Sequence, residues 1–263
     1  MAKQRALASK AVKYLISRRT TFRGRWIDDD RPTLVTVNYR TPLDAARLVH
    51  SWRRFVGAPV VVVENGSLRD RITIQRATGA KVVGGAVNLH HGLGLDYGLR
   101  LVRTGYTVIC DSDSIIAAEQ FWPQVKNMVD TFGVASIDLG VPTYSPMCLA
   151  FRTETWKAHP LSMKEVWPHH DVAGALTAHL GGLRPEALLP LTRWSGGSAE
   201  TSTARVYGEV FSNTVGLTRR FGGPGAFADC EGSFDAIIAG QTEWQDWADR
   251  FISEEASLDD FPS

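Results

Sequence analysis

Asp111 and Asp113 stand one residue apart, directly after an unbroken apolar run, Val108-Ile109-Cys110. A run of that kind suits a strand covered on both faces. Side chains alternate along a strand, so the two carboxylates can project the same way from its C-terminal end. Paired hard oxygen ligands at that edge suit a divalent cation that carries phosphate oxygens. Spacing alone does not decide this, because Asp28-Asp29-Asp30 has it too. That triplet sits between Arg25-Trp26 and Arg31-Pro32, follows no apolar run and reads as a solvated linker. Further chemistry-bearing groups are Asn38-Tyr39-Arg40, Glu64-Asn65-Gly66-Ser67, Asn88-Leu89-His90-His91-Gly92 and His169-His170-Asp171.

The elements between these groups predict how they meet. Residues 34–38 read as a strand, and Thr41-Pro42 opens a helix, with Thr41 as N-cap and Pro42 at the first helical position. Ala46, Val49, Trp52, Arg53 and Val56 mark its core-facing stripe. A second buried strand over 59–63, a short helix over 70–77, a strand over 81–83 and a helix over 93–102 lead into the strand before Asp111. This β-α-β-α-β-α-β order with short connections predicts a largely parallel sheet with helices on both faces. The ends at Asn38, Glu64 and Asp111 then fall on one edge, where such sheets bind ligands. Beyond Ser114 we expect a helix from Pro123, strands over 134–137 and 147–151, and helices over 153–158 and 172–180. An edge strand at 188–191 carries Pro190. The small polar stretch 194–204 suits a flap over a site. A glycine-rich loop at 222–225 and an acidic tail follow.

In order and spacing, Val35-Thr36-Val37-Asn38-Tyr39-Arg40-Thr41, Val61-Val62-Val63-Glu64-Asn65-Gly66-Ser67, Asn88 to Gly98 and Asp111-Ser112-Asp113 resemble the signatures of GT-A-fold glycosyltransferases, family 2-like. The resemblance covers residues 33–183. It implies the GT-A (nucleotide-diphospho-sugar transferase) fold and a nucleotide-diphosphate-sugar donor, UDP-sugars among them. It also implies Mn²⁺ or Mg²⁺, and hexosyl transfer to a hydroxyl with inversion in a single displacement. By the same resemblance Asn38, Tyr39 and Arg40 contact the nucleotide, with Tyr39 packing on base or ribose. Glu64, with Asn65 beside it, stands where the family's usual Asp contacts base or ribose, and its extra methylene bears on base preference. His91, Gly92 and Gly98 fall in the segment that passes close to the diphosphate, where glycine permits close approach and a helix N-terminus favours anions. Asp113 becomes the direct metal ligand, and Asp111 binds ribose or a metal-bound water. Asp171 takes the place of the general base, ahead of a helix that the same carboxylate can cap. The family often brings a further His to the metal from its C-terminal part. No His follows His179, so Glu209 or Asn213 are the candidates to replace it.

Composition bounds the rest. At 263 residues, 44% apolar and 22% charged, the chain reads as an ordinary globular protein with a sizeable core. Net charge is +1, but residues 1–27 carry eight basic side chains and no acid, while 241–263 carry seven acids against Arg250. The basic segment reads as a helix over 3–19, packed on the domain or touching a polyanion or membrane surface. Three scattered cysteines make neither a disulfide framework nor a zinc site. With no apolar stretch of spanning length and no signal-peptide core, a cytoplasmic location is expected. The expected organisation is a basic helix and linker (1–32), a nucleotide-sugar-binding α/β half (33–115), an acceptor half of the same domain (116–240) and the acidic tail (241–263). The acceptor stays open among glycan, protein, lipid carrier and modified nucleic-acid base. Two other functions fit these residues less well. A nucleotidyltransferase acting on a sugar phosphate would show a glycine-rich loop after its first strand, and Asn38 to Pro42 has no glycine. A non-catalytic nucleotide-sugar-binding module would not need both Asp113 and Asp171.

Overall fold

Valine-rich runs joined by helices give the chain its large sheet. The computed structural model describes residues 30–158, 162–163, 173–195, 202–214 and 234–262, with the backbone alone for 234–238. Strands β1 (Pro32–Asn38), β2 (Val60–Glu64), β3 (Lys81–Gly84) and β4 (Tyr106–Cys110) alternate with helices α1 (Pro42–Phe55), α2 (Leu68–Thr78) and α3 (His91–Leu99). After β4 come β5 (Ser114–Ile116), α4 (Phe121–Phe132), β6 (Val134–Ile137), β7 (Cys148–Arg152), α5 (Thr153–Ala158), α6 (Gly174–His179) and β8 (Leu188–Leu189). The seven-stranded sheet has the order β3-β2-β1-β4-β7-β6-β8. β1 pairs in parallel with both β2 and β4, and only β7 runs against its neighbours. This is the mostly parallel, helix-flanked α/β sheet expected from the sequence.

Period-two alternation feeds two cores. Leu34, Val62, Val108 and Ala150 point to one face, packed with Leu48 and Trp52 of α1 and Phe121 and Val125 of α4. Val35, Val63, Ile109 and Leu149 point to the other, packed with Leu95 and Leu99 of α3, Trp156 of α5 and Leu176 of α6. The missing side chain of Gly98 lets α3 lie close on the sheet: a Cβ there would sit 2.6 Å from Val35 Cγ1 and 3.1 Å from Val63 Cγ2. Its role is thus helix-on-sheet contact. Gly98→Ala should lower the denaturant midpoint, with a loss of about 1–3 kcal/mol from overpacking; an unchanged midpoint would contradict this packing.

A second, antiparallel sheet stands beside the first. Its strands are β5, β11 (Phe211–Thr214), β10 (Ala204–Tyr207) and β9 (Leu191–Trp194), in that order. β5 starts one residue after Asp113, and Ser114 pairs with Asn213. Pro190 falls between the two sheets: Leu188–Leu189 ends the large one and Leu191–Trp194 edges the small one. The polar stretch read as a flap joins β9 to β10, and its residues 196–201 lie outside the described ones, as do the basic segment 1–27 and the loop 222–225.

Three local expectations need correction. Arg53 is exposed and leaves the core stripe of α1 to Ala45, Leu48, Val49 and Trp52, because its guanidinium reaches out to the Thr78 carbonyl. Thr41 holds the N-cap position of α1, but its hydroxyl makes no cap bond and donates to Asn38 Oδ1 instead. The acidic C-terminal stretch belongs largely to a helix, α7 (Phe234–Ile252). Trp244, Trp247, Ala248 and Phe251 recur at three- and four-residue spacing and form a third core with Ile115, Val206 and Phe261. Both indole N–H groups are satisfied, Trp244 on Ser212 Oγ and Trp247 on the Ser257 carbonyl, each at 3.0 Å. The acids take the outer face. Among the described residues no helix is long and apolar enough to cross a membrane.

Candidate functional site

The C-terminal ends of β1, β2 and β4 lie side by side, with Asn38 in register with Glu64. Their polar side chains are first used to build a frame. Asn38 is fully buried, donates to Glu64 Oε2 at 2.6 Å and accepts from Thr41 at 2.8 Å. The other carboxylate oxygen of Glu64 accepts from the backbone N–H groups of Gly66 and Ser67. Burial pushes the Glu64 carboxyl above its ordinary range, against the pull of Asn38 and the two N–H groups. Asn65 then ties β2 to the next loop: its amide donates to the His90 carbonyl at 3.0 Å and accepts from Leu89 N at 3.2 Å. Asn38, Glu64 and Asn65 are all at most 3% exposed, and the bonds above occupy their side chains. In these bonds the three side chains hold the loops at this edge.

Accessible groups ring this frame. Tyr39 is half-buried, and the exposed Arg40 guanidinium lies 5.1 Å from its ring centroid. Arg40 and His90 hold positive φ, near 62° each, a left-handed conformation that non-glycine residues adopt at a cost. His91 opens α3, and its Nε2 lies 3.4 Å from Asp111 Oδ1. Gly92 is buried in the first turn of that helix. The 111–113 turn is tied to its neighbours, with Asp111 N donating to the Met147 carbonyl and Ser112 Oγ 3.4 Å from Thr41 Oγ1.

Asp113 differs from Asp111 in being 4% exposed. Its carboxyl is held well above the usual carboxylate range, first by burial, then by the negative charges of Asp111 and Asp44. Asp44, in the first turn of α1, carries no motif and was missed in the sequence; only its place in the first turn of a helix beside the site could have marked it. Of the two candidates for a further metal ligand, Glu209 is engaged by Arg193, with Nε and Nη2 both at 2.8 Å, which removes it. Asn213 is fully buried, and its Oδ1 has no hydrogen-bond partner among the described residues. Among the described residues no three His, Cys, Asp or Glu side chains converge into a metal cage. Asp171 lies outside the described residues. The helix after it starts at Gly174, with Ala173 at the N-cap position and no side-chain cap.

No family model matches the sequence, and no curated protein does. Solved structures do. A mannosyltransferase from Pyrobaculum calidifontis, in complex with GDP-Man and Mn²⁺, is 17% identical over 58% of this chain and 55% of its own, with a TM-score of 0.43. S. aureus TarS is 14% identical over 87% of this chain and 76% of its own, at 0.48. Glucosyl-3-phosphoglycerate synthase from Mycobacterium tuberculosis is 14% identical over 69% of this chain and 73% of its own, at 0.45. The likeness is one of architecture. The chain spans little more than half the length of the mannosyltransferase. Substrate and chemistry must be argued from this chain's own residues.

Proposed function

We propose that the protein is a metal-dependent glycosyltransferase that moves a sugar from a nucleotide-diphosphate-sugar to an acceptor hydroxyl, with inversion in a single displacement. The observation that carries this reading is Asp113: a buried carboxylate at the ligand-binding edge of a parallel sheet, whose charged neighbours Asp111 and Asp44 are acids. Burying a carboxylate among like charges opposes folding unless a cation joins it. The donor set fits Mn²⁺ or Mg²⁺ held by one or two carboxylates, with the donor's phosphate oxygens and water completing the shell. Bound there, the ion would neutralise charge developing on the departing diphosphate.

The remaining roles belong to the chain's own side chains. Tyr39 packs on the base or ribose, and Arg40, beside its ring, faces the phosphates. Asp111, whose Oδ1 lies 3.4 Å from His91 Nε2, orients the ribose. Asn38, Glu64 and Asn65 keep the three loops in place, which is positioning of the kind that shortens the path to reaction. Asp171 accepts the proton of the attacking hydroxyl. No covalent intermediate is required. A thermal-shift panel of nucleotide-sugars with and without Mn²⁺ tests the reading, since a ligand that binds the folded state raises the melting temperature. A shift that needs both donor and Mn²⁺ is expected; no shift with any donor would refute it.

A further inference from the structure

Helix α2 buries only one of its sides. Ile74 and Thr78 are buried, while Leu68 and Ile72, one turn apart on the other side, are 56% and 48% exposed. Arg76 continues that stripe at the next turn and Arg69 flanks it, both exposed. Neither guanidinium has an ion pair or hydrogen bond among the described residues. Arg71, by contrast, turns inward and donates to the Gly84 carbonyl at 3.2 Å. The loop after β3 lies against the first turn of the same helix: a Cβ on Gly85 would sit 3.4 Å from Leu68 Cα. Val87, two residues on, is 40% exposed. The loop after β1 adjoins the same turn, since a Cβ on Gly66 would sit 3.0 Å from Arg40 N. Leu43, three residues beyond Arg40, is 62% exposed.

Single exposed apolar side chains are ordinary on a protein surface, but a cluster of them marks an interaction site. Leu43, Leu68, Ile72 and Val87 are four of the six large exposed apolar side chains among the described residues. They stand among cations. Residues 65–91 carry Arg69, Arg71, Arg76 and Lys81 against one acid, Asp70. That acid is half-buried, and its carboxylate lies beside Gly66. A partner for this corner must take up apolar side chains and supply negative charge next to them. A bilayer with anionic headgroups does both: apolar side chains enter the acyl boundary while arginines meet the lipid phosphates. We propose that α2 and the loop after β3 dock the protein on an anionic membrane surface, with Leu68, Ile72 and Val87 inserted and Arg69 and Arg76 against the headgroups. The docked corner adjoins the donor edge, so with the donor seated there the acceptor within reach is one carried by a lipid. That consequence rests on the glycosyltransferase reading; the docking itself does not.

The test is co-sedimentation of the full chain with vesicles of phosphatidylcholine alone and of phosphatidylcholine with phosphatidylserine, at low and high salt and without donor or metal. The chain should bind the anionic vesicles, bind more weakly as salt rises, and leave the neutral ones largely free. Replacing Arg69 and Arg76 together by Gln should lower the partition coefficient by roughly fivefold for each arginine. Replacing Leu68 and Ile72 together by Gln should lower it by at least about tenfold. Both pairs are exposed, so melting temperatures and donor hydrolysis in solution should match wild type. No binding to anionic vesicles would overturn the proposal. Binding that both double variants retain in full would belong to the basic segment 1–27 and overturn it too. A chain that ignores vesicles but self-associates through Leu68 and Ile72, read by sedimentation velocity, would make the corner a contact between two copies instead. Because no donor is present, each of these failures leaves the glycosyltransferase reading to its own test.

Discussion

Asp113→Asn is expected to abolish Mn²⁺-supported donor binding while leaving the fold intact. The carboxylate is buried with acids for charged neighbours, so the neutral amide removes an unfavourable charge from the metal-free state. Metal-free stability should therefore hold or increase. Affinity for a nucleoside diphosphate in the presence of Mn²⁺ should fall by at least about 100-fold, since even residues that only support a metal ligand are worth roughly 10–100-fold. Titration calorimetry with and without Mn²⁺ measures both states. The pH dependence has a definite sign: a carboxyl raised well above its ordinary range must lose its proton to take a cation, so affinity should weaken as pH falls. Unchanged Mn²⁺-dependent affinity in the variant would take Asp113 out of the site.

Asp171→Asn should give the second large effect. By the family resemblance Asp171 takes the place of the general base, a role worth about 10²–10⁴-fold in rate. The Asn variant should bind donor and metal as wild type does and lose transfer by at least about 10²-fold. Had Asp171 been the helix cap, Asp171→Ala would cost about 1 kcal/mol of stability. With Ala173 at the cap position, the Ala variant should melt close to wild type. Wild-type turnover in Asp171→Asn would end the base assignment.

Much of the architecture was legible because local pattern and tertiary outcome agree. The alternation of Leu34 to Asn38, the valines before Glu64 and the run before Asp111 each become strands, and α5 spans Thr153–Ala158 as its pattern indicates. The common edge of Asn38, Glu64 and Asp111 follows from parallel order alone. What was hidden depends on partners distant in sequence. Asn38 and Glu64, 26 residues apart, satisfy each other, and no local feature of either announces it. Arg53 sits on the apolar stripe by spacing, yet a long side chain can leave a stripe to reach a carbonyl. The acids of the C-terminal stretch outnumber its bases and mask the tryptophans that fold it onto the small sheet. Asp44 belongs to no motif, and one of its partners, Gln245, stands 201 positions on.

The most direct measurement of the central claim is release of nucleoside diphosphate from nucleotide-sugars, followed by phosphorus NMR with Mn²⁺, then with a chelator, then with Mn²⁺ restored. Water can stand in for the acceptor in a slow hydrolysis, so the experiment does not wait on the acceptor's identity. We expect at least one donor to yield its nucleoside diphosphate with Mn²⁺, to stop with chelator and to resume on adding the metal back. Release of a nucleoside monophosphate, release that ignores the chelator, or no release from any donor would contradict a metal-dependent glycosyltransferase.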